Sequence, residues 1–302
     1  MAALKKIAVI GGTGDLGHVI VQQLVAAGIF DVAVVTRDSR DTRGKIPTGA
    51  KAAEADYESL ESLTAAFRGF DAVVCTLPGH LEALLLRILD AAIAAGVRRF
   101  IPSEFGSDHR QPAAHSVPLS ASKIKVDNTL QKAASEGRIE YTSILGGPWI
   151  EWIMTFEEGM SIPERKFFIH DGGDIPFGLT TRKAFGDAVA GALRHPEETK
   201  NQIYTIEVIS LTQNRILQLV KEALPDLELE IVHVNTKERY ERGVKKLVSG
   251  VFDMSVVGDI VLRFVFDSEL QLTSDTKAAN ELLGVESITE NQFKELVRSL
   301  AN

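Results

Sequence analysis

The feature that most constrains this chain is a glycine cluster near its start, Gly11-Gly12-Thr13-Gly14-Asp15-Leu16-Gly17. It follows the apolar run Ile7–Ile10 and opens a helix-period segment, Leu16–Ala27. The spacing satisfies G-x-x-G-x-x-G from Gly11 and G-x-G-x-x-G from Gly12. Such a turn needs glycine because the chain bends sharply and a pyrophosphate must approach the backbone with no Cβ in its way. The last glycine lets the helix pack tightly on the strand. The helix start then offers unpaired N–H groups and the positive end of a dipole. A strand–glycine turn–helix unit therefore predicts a dinucleotide site, with Gly11, Thr13, Gly14, Asp15, Leu16 and Gly17 at the phosphates.

Strand-length apolar runs alternate with helical segments through the first half. Strands are expected at Val32–Val35, Lys51–Ala55, Ala72–Thr76, Arg99–Ser103 and Tyr141–Leu145, and helices at Leu60–Phe67, Leu81–Ala95 and Ser120–Ser135. Single helices between strands imply right-handed crossovers and a parallel sheet. After Pro148 the alternation loosens into a Gly/Pro-punctuated stretch. A helix over Arg182–Arg194, a strand over Gln202–Val208, a helix over Gln213–Leu224 and a strand over Leu227–Val234 follow. The expected fold class is α/β, a Rossmann-like doubly wound parallel sheet with a smaller mixed α/β C-terminal lobe. For 302 residues, two units are expected: residues 1–150 for the dinucleotide and 151–302 for substrate, with part of 182–210 able to return to the sheet.

Composition excludes several classes of function. Hydrophobic residues make up 45% and charged residues 25%, which is globular and not disordered. A net charge of −8 argues against nucleic acid as a partner. Cys75 is the only cysteine, so an intrachain disulfide and the thiolate zinc frameworks are excluded, and the scattered histidines predict no metal. The longest apolar region, Leu81 to Val97, is broken by Glu82, Arg87 and Asp90, so no membrane span is expected and the cytoplasm is the expected compartment.

The end of the second strand selects the dinucleotide. An acidic residue there would bind the ribose hydroxyls of NAD. Here the strand ends Val35-Thr36-Arg37, with Arg40, Arg43 and Lys45 beyond; Asp38 is the contrary residue. A guanidinium suits a 2′-phosphate, which predicts NADP(H). Many reductases on this fold use a Tyr-x-x-x-Lys pair. Tyr57, Tyr141, Tyr204 and Tyr240 are followed four residues later by Glu61, Leu145, Val208 and Val244, so the pair is absent and another group must handle the proton.

With the glycine loop, the stretch Arg99-Phe100-Ile101-Pro102-Ser103-Glu104-Phe105-Gly106, the Lys123 helix running into Glu140-Tyr141-Thr142, His195-Pro196-Glu197-Glu198-Thr199 and Thr212-Gln213-Asn214, the chain resembles the isoflavone reductase / phenylcoumaran benzylic ether reductase group. That group lies within the NmrA-like atypical short-chain reductases, and the likeness is greatest to fungal members. The resemblance implies an NADPH-binding Rossmann domain, a C-terminal substrate lobe, and a lysine in place of the tyrosine pair. The matching position is Lys123. Lys125 lies about 200° away around the helix, so only one of the two can face a cofactor; Lys123 is the expected one. Independently of the family, an ammonium stripped of water beside a nicotinamide becomes a better acid, which suits acid–base work.

Ser103 ends a strand where ligands of open α/β sheets bind, and is expected either to meet a substrate oxygen or to cap its turn. Thr76 and Leu77 are expected along the nicotinamide ribose, and Gly146, Gly147 and Pro148 beside the nicotinamide. Phe105, Trp149, Trp152, Ile153, Phe156 and Phe177 are candidates for an apolar wall, a set from which core packing also draws. His109 is a weaker acid–base candidate. The expected activity is NADPH-dependent hydride transfer to an electrophilic carbon of an aromatic or conjugated small molecule, in a monomer or homodimer. Two alternatives stay open: an NADP-binding redox-sensing regulator of the NmrA type, and a cofactor-assisted isomerase or dehydratase.

Overall fold

A computed structural model describes residues 3–38, 44–267, 270 and 275–301. The expected arginines Arg40 and Arg43 lie outside the described residues. Through the first half, strands and helices run β1 (Lys6–Ile10), α1 (Asp15–Ala26), β2 (Asp31–Thr36), β3 (Lys51–Glu54), α2 (Leu60–Phe67), β4 (Ala72–Cys75), α3 (Glu82–Ala94), β5 (Arg99–Ile101), α4 (Ala121–Ser135) and β6 (Glu140–Gly146). The chain continues through α5 (Ile150–Ile153), β7 (Met160–Ser161), β8 (Lys166–His170), β9 (Phe177–Leu179), α6 (Arg182–Arg194) and β10 (Gln202–Ile206). It ends with β11 (Ile209–Leu211), α7 (Gln213–Ala223), β12 (Glu230–Val234), α8 (Thr236–Val248), α9 (Met254–Val261), α10 (Arg263–Phe266), α11 (Thr276–Leu283) and α12 (Glu290–Leu300).

Seven strands form one sheet in the order β10-β6-β5-β4-β1-β2-β3, every pair parallel. The central strand shows why it is central. In Lys6–Ile10 only the lysine is exposed, because a parallel strand is covered on both faces and has no polar side to present. Its alternate residues feed two cores: Ile7 and Val9 join the cluster that includes α1 and α6, while Ala8 and Ile10 join the one that includes α2, α3 and α4. The result is a helix–sheet–helix sandwich. Its strand order reverses between β1 and β4, which opens a crevice at their carboxyl ends. β10 reaches the sheet only after an excursion of more than fifty residues, and pairs with β6 so that Ile206 lies opposite Gly146.

Arg99 anchors that return. Its side chain is fully buried, with guanidinium N–H groups donating to Thr142 Oγ1 (2.8 Å), Thr199 Oγ1 (3.0 Å), Glu140 Oε2 (3.0 Å) and Pro196 O (2.7 Å). The His195–Thr199 stretch is therefore a structural anchor. Thr212-Gln213-Asn214 serves a similar end. Thr212 caps α7, buried Gln213 bonds both His170 N and Phe168 O at the end of β8, and Asn214 donates to Gly172 O.

The remaining C-terminal elements form a lobe with two small sheets, β7-β8-β12 and β9-β11. A third apolar cluster joins it to the Rossmann half. Ala114 and Val117, from two 3₁₀ turns ahead of α4, pack with Val256, Ile260 and Phe264 of α9 and α10. This seam roofs the crevice. Among the described residues no helix is long and apolar enough to cross a membrane.

Candidate active site

The glycine loop sits at the switch point. Ile10 pairs with Cys75, so Gly11 and Thr76 emerge side by side, and Thr76 Oγ1 donates to Ile10 O at 3.1 Å. Gly11 has φ +86°, and a Cβ there would meet Thr76 Oγ1 at 2.6 Å and Leu77 Cδ2 at 3.2 Å. A Cβ on Gly17 would overlap the carbonyl oxygen of Gly11. Gly14 occupies the N-cap of α1, and no side chain caps that helix, so its first turn keeps donors for an anion. Thr13, Gly14, Asp15 and Leu16 complete the turn. Arg182 ties it to the opposite wall: the guanidinium lies 3.7 Å from Asp15 and 5.9 Å above the Trp149 ring.

Arg37 is exposed at the end of β2, its guanidinium 5.8 Å from the centroid of Tyr57. Tyr57 donates to Val35 O at 2.8 Å, and burial pushes its phenol up to about 12, partly offset by Arg37. The tyrosine is thus a fixed neutral platform beneath the cation. Lys45 is exposed, with its carbonyl oxygen 3.0 Å from His18 Nδ1 of α1. Uncapped donors, glycines whose Cβ would fill the cradle, and an exposed guanidinium with no carboxylate partner among the described residues fit a dinucleotide carrying an extra phosphate.

The two lysines of α4 separate cleanly. Lys125 is 61% exposed and paired with Glu82. Lys123 is 19% exposed, and its ammonium donates to the carbonyls of Ser103 and Glu104, both at 3.2 Å, with Glu104 Oε2 at 3.5 Å. A Cβ on Gly79 would meet Lys123 Cε at 2.5 Å, so the loop after β4 lies directly on the lysine stem. Glu104 is buried; desolvation raises its carboxyl and Lys123 pulls it back. His109 accompanies them. Burial, helped by Lys123 and Arg110, pushes its imidazole down to about 2, so it is neutral, and its Nδ1 lies 2.8 Å from Ser120 Oγ.

Lys123, Glu104 and His109 open onto a cavity of about 400 Å³ whose other walls include Gly79, Gly147, Pro148, Phe105, Trp149 and Trp152. Trp149 is oriented by Nε1 donating to Phe105 O at 3.1 Å. The roof comes from Val257, Val261, Phe264 and Val265, spaced i, i+4, i+7 and i+8. Phe252, 56% exposed, sits at the rim.

Three expectations are corrected. Ile153 is fully buried in the main core and does not line the cavity, because α5 turns it inward. Phe156 stacks on Trp152 at 4.7 Å and 19°, supporting that wall from behind. Ser103 acts through its main-chain carbonyl on Lys123 and does not line the cavity. Phe177 lines a second, smaller cavity, where Gly147 and Pro148 also appear; Gly146 is buried in β6 against Thr180 and Phe185. Sequence reasoning missed Glu104, Tyr57 and Arg182. Glu104 alone left a signal, a single carboxylate between a strand end and Phe105.

A family model described as the NmrA-like family matches residues 3–296. An oxidoreductase named aprR from Aspergillus flavus is 30% identical over 249 residues, 81% of this chain and 82% of that protein. A bifunctional pinoresinol-lariciresinol reductase of Thuja plicata is 24% identical over 283 residues, 86% of this chain and 90% of that one. Among solved structures, AtPrR2 with NADP+ and (+)pinoresinol shares the fold, with a TM-score of 0.79 at 20% identity over 99% of this chain and 100% of that one. Matched from Rossmann loop to last helix, the chain belongs to the NmrA-like family, among relatives named as oxidoreductases and reductases.

Proposed function

We propose that this oxidoreductase works with NADPH on an aromatic or conjugated small molecule held in the 400 Å³ cavity, and that Lys123 handles the accompanying proton. The observation that carries the proposal is a shielded ammonium at the cavity wall, gripped by two carbonyl oxygens. When bound, NADPH supplies a hydride to an electrophilic carbon. The Gly11–Gly17 turn and the start of α1 would hold its pyrophosphate, Arg37 its 2′-phosphate, and Thr76, Leu77, Gly147 and Pro148 would border its nicotinamide half.

The remaining chemistry belongs to the chain. An ammonium has three N–H donors. The carbonyls of Ser103 and Glu104 engage two, and the third faces Glu104 Oε2 at 3.5 Å on the cavity wall, a longer contact that a substrate oxygen can replace. Lys123 then places a proton on a developing substrate oxyanion, or withdraws one in the reverse direction. Neutral His109 has no charge to oppose that ammonium. Trp149, Trp152 and Phe105 hold an aromatic ring and exclude water. Residues 1–150 with α6 and β10 serve the dinucleotide, and the rest of 151–302 closes over the substrate.

The test supplies NADPH deuterated on either face of C4 with a panel of enones, benzylic aryl ethers and ketones. Mass spectrometry should find product labelled from one face only. Tight NADPH binding with no label transferred to any member of the panel would refute the proposal.

A further inference from the structure

Beside the substrate cavity lies a second one of about 130 Å³ that no part of the foregoing chemistry uses. The two share Ser107, Gly147, Pro148, Phe264 and Val265, so they are neighbouring compartments of one cleft. Their linings differ in kind. Apart from Lys123, Glu104 and His109 the larger is mainly aromatic and aliphatic, whereas the smaller adds Glu207, Ser210 and Thr276 to its apolar lining.

Glu207 is the residue after β10. Since Ile206 lies opposite Gly146, Glu207 comes level with Gly147 at the carboxyl edge of the sheet. Its main chain is clamped by buried Asn280 of α11, which donates to Glu207 O at 2.6 Å and accepts from Glu207 N at 3.4 Å. Its carboxylate lies flat on Gly178, where a Cβ would overlap Oε2. A Cβ on Gly147 would in turn overlap the carbonyl oxygen of Gly178. Two glycines in layers thus bring a carboxylate close to the edge where the nicotinamide half would lie. Among the described residues no cation pairs with it, and burial alone raises its carboxyl. A half-buried carboxylate that no described cation neutralises, lining a cavity with Ser107, Ser210 and Thr276, is a group awaiting a donor.

We propose that Glu207 binds a free hydroxyl of the substrate in the adjoining compartment, across Gly147 and Pro148 from Lys123. The inference rests on the function proposed above and deepens it. It specifies an aromatic molecule with a phenolic or alcoholic hydroxyl other than the oxygen that meets Lys123. A hydroxyl fits better than an ammonium because Ser107, Ser210 and Thr276 supply neutral partners and, among the described residues, no second carboxylate lines the compartment.

The experiment uses phenols paired with their O-methyl ethers, pinoresinol and its dimethyl ether among them. Binding to the full chain loaded with NADP+ is read from the fluorescence of Trp149 and Trp152. The wild type should favour the free hydroxyl about 10-fold to 100-fold, the range of one hydrogen bond to a charged group. Glu207→Leu should abolish that preference, whereas Glu207→Gln, which keeps a neutral acceptor of the same shape, should retain about 3-fold to 10-fold of it. Both variants should bind NADPH as the wild type does. An unchanged preference in Glu207→Leu, a loss in Glu207→Gln equal to that in Glu207→Leu, weakened NADPH binding, or binding of neither member of any pair would each overturn the inference. Label transfer from deuterated NADPH in the wild type, measured in parallel, shows whether the reductase assignment stands regardless.

Discussion

Two residues apart on one helix, Lys123 and Lys125 meet opposite fates, and the difference is burial. The outer lysine reaches an exposed carboxylate, a contact that contributes little. The inner one is pinned by carbonyl oxygens and packed by Gly79. Arg37 is the other residue on which the account depends. Its guanidinium stands above a neutral Tyr57, paired with no carboxylate among the described residues, in a position to meet a phosphate. Arg37→Ala should weaken NADPH binding about tenfold, the share of an exposed charge-assisted contact of about 1.5 kcal/mol, and leave NADH binding nearly unchanged. Calorimetric titration with both cofactors checks this; equal losses for the two would contradict the 2′-phosphate assignment. Arg37 was legible because strand length and glycine spacing fix its place. Tyr57 was not, because it is twenty residues away and reaches Val35 only in three dimensions.

Among elements, two helices opened by a hydroxyl N-cap were legible to the residue, whereas the capped α8, α9, α11 and α12 were expected only as helices without bounds. α2 and α6 span the expected Leu60–Phe67 and Arg182–Arg194, each opened by an N-cap hydroxyl, Ser59 and Thr181. The small sheets were not legible. β7 has two residues, and β8 pairs with β12 from more than sixty residues away, so no local pattern announces either. What fixes β8 is a buried polar knot. His170 Nε2 lies 3.3 Å from Arg239 Nη1, which has only protons to offer, so that nitrogen accepts. Arg239 also holds Asp259 Oδ1 at 2.9 Å and Glu158 Oε2 at 2.7 Å, joining α8 to α9 and its cavity-lining valines.

Burial, with Arg239 adding, pushes His170 from 6.5 down to about 3. The unfolded chain takes up this proton as pH falls below about 6.5, while the folded chain refuses it until about pH 3. Stability is therefore full above the upper value and is lost as pH falls through the window, at up to about 1.4 kcal/mol per pH unit for this one site. His109 acts with the same sign. Urea unfolding at a series of pH values should show a shallower acid decline in His170→Gln than in the wild type. An unchanged slope would mean that His170 is protonated in the folded state.

At the scale of the molecule, the parallel sheet fixes the chemistry at one edge and the lobe encloses it. The net charge of −8 does not oppose an anionic cofactor, because Arg37 and the helix start act locally. The Rossmann half could be read from the sequence because its central strands, β1, β2 and β4, are apolar runs beside periodic helices, while the edge strand β3, Lys-Ala-Ala-Glu, is the weak one. The cleft could not, since its walls come from β4, β5, β6, α9 and α10, brought together only by the seam around Phe264. The account turns on the amine of Lys123 at that cleft. The most direct measurement is turnover and NADPH affinity of Lys123→Ala, on the substrate that accepts label in the wild type. The account predicts a loss in kcat of about 100-fold or more, the share of a positioned acid–base group, with NADPH affinity held within about threefold. Turnover at the wild-type rate in that variant would contradict it.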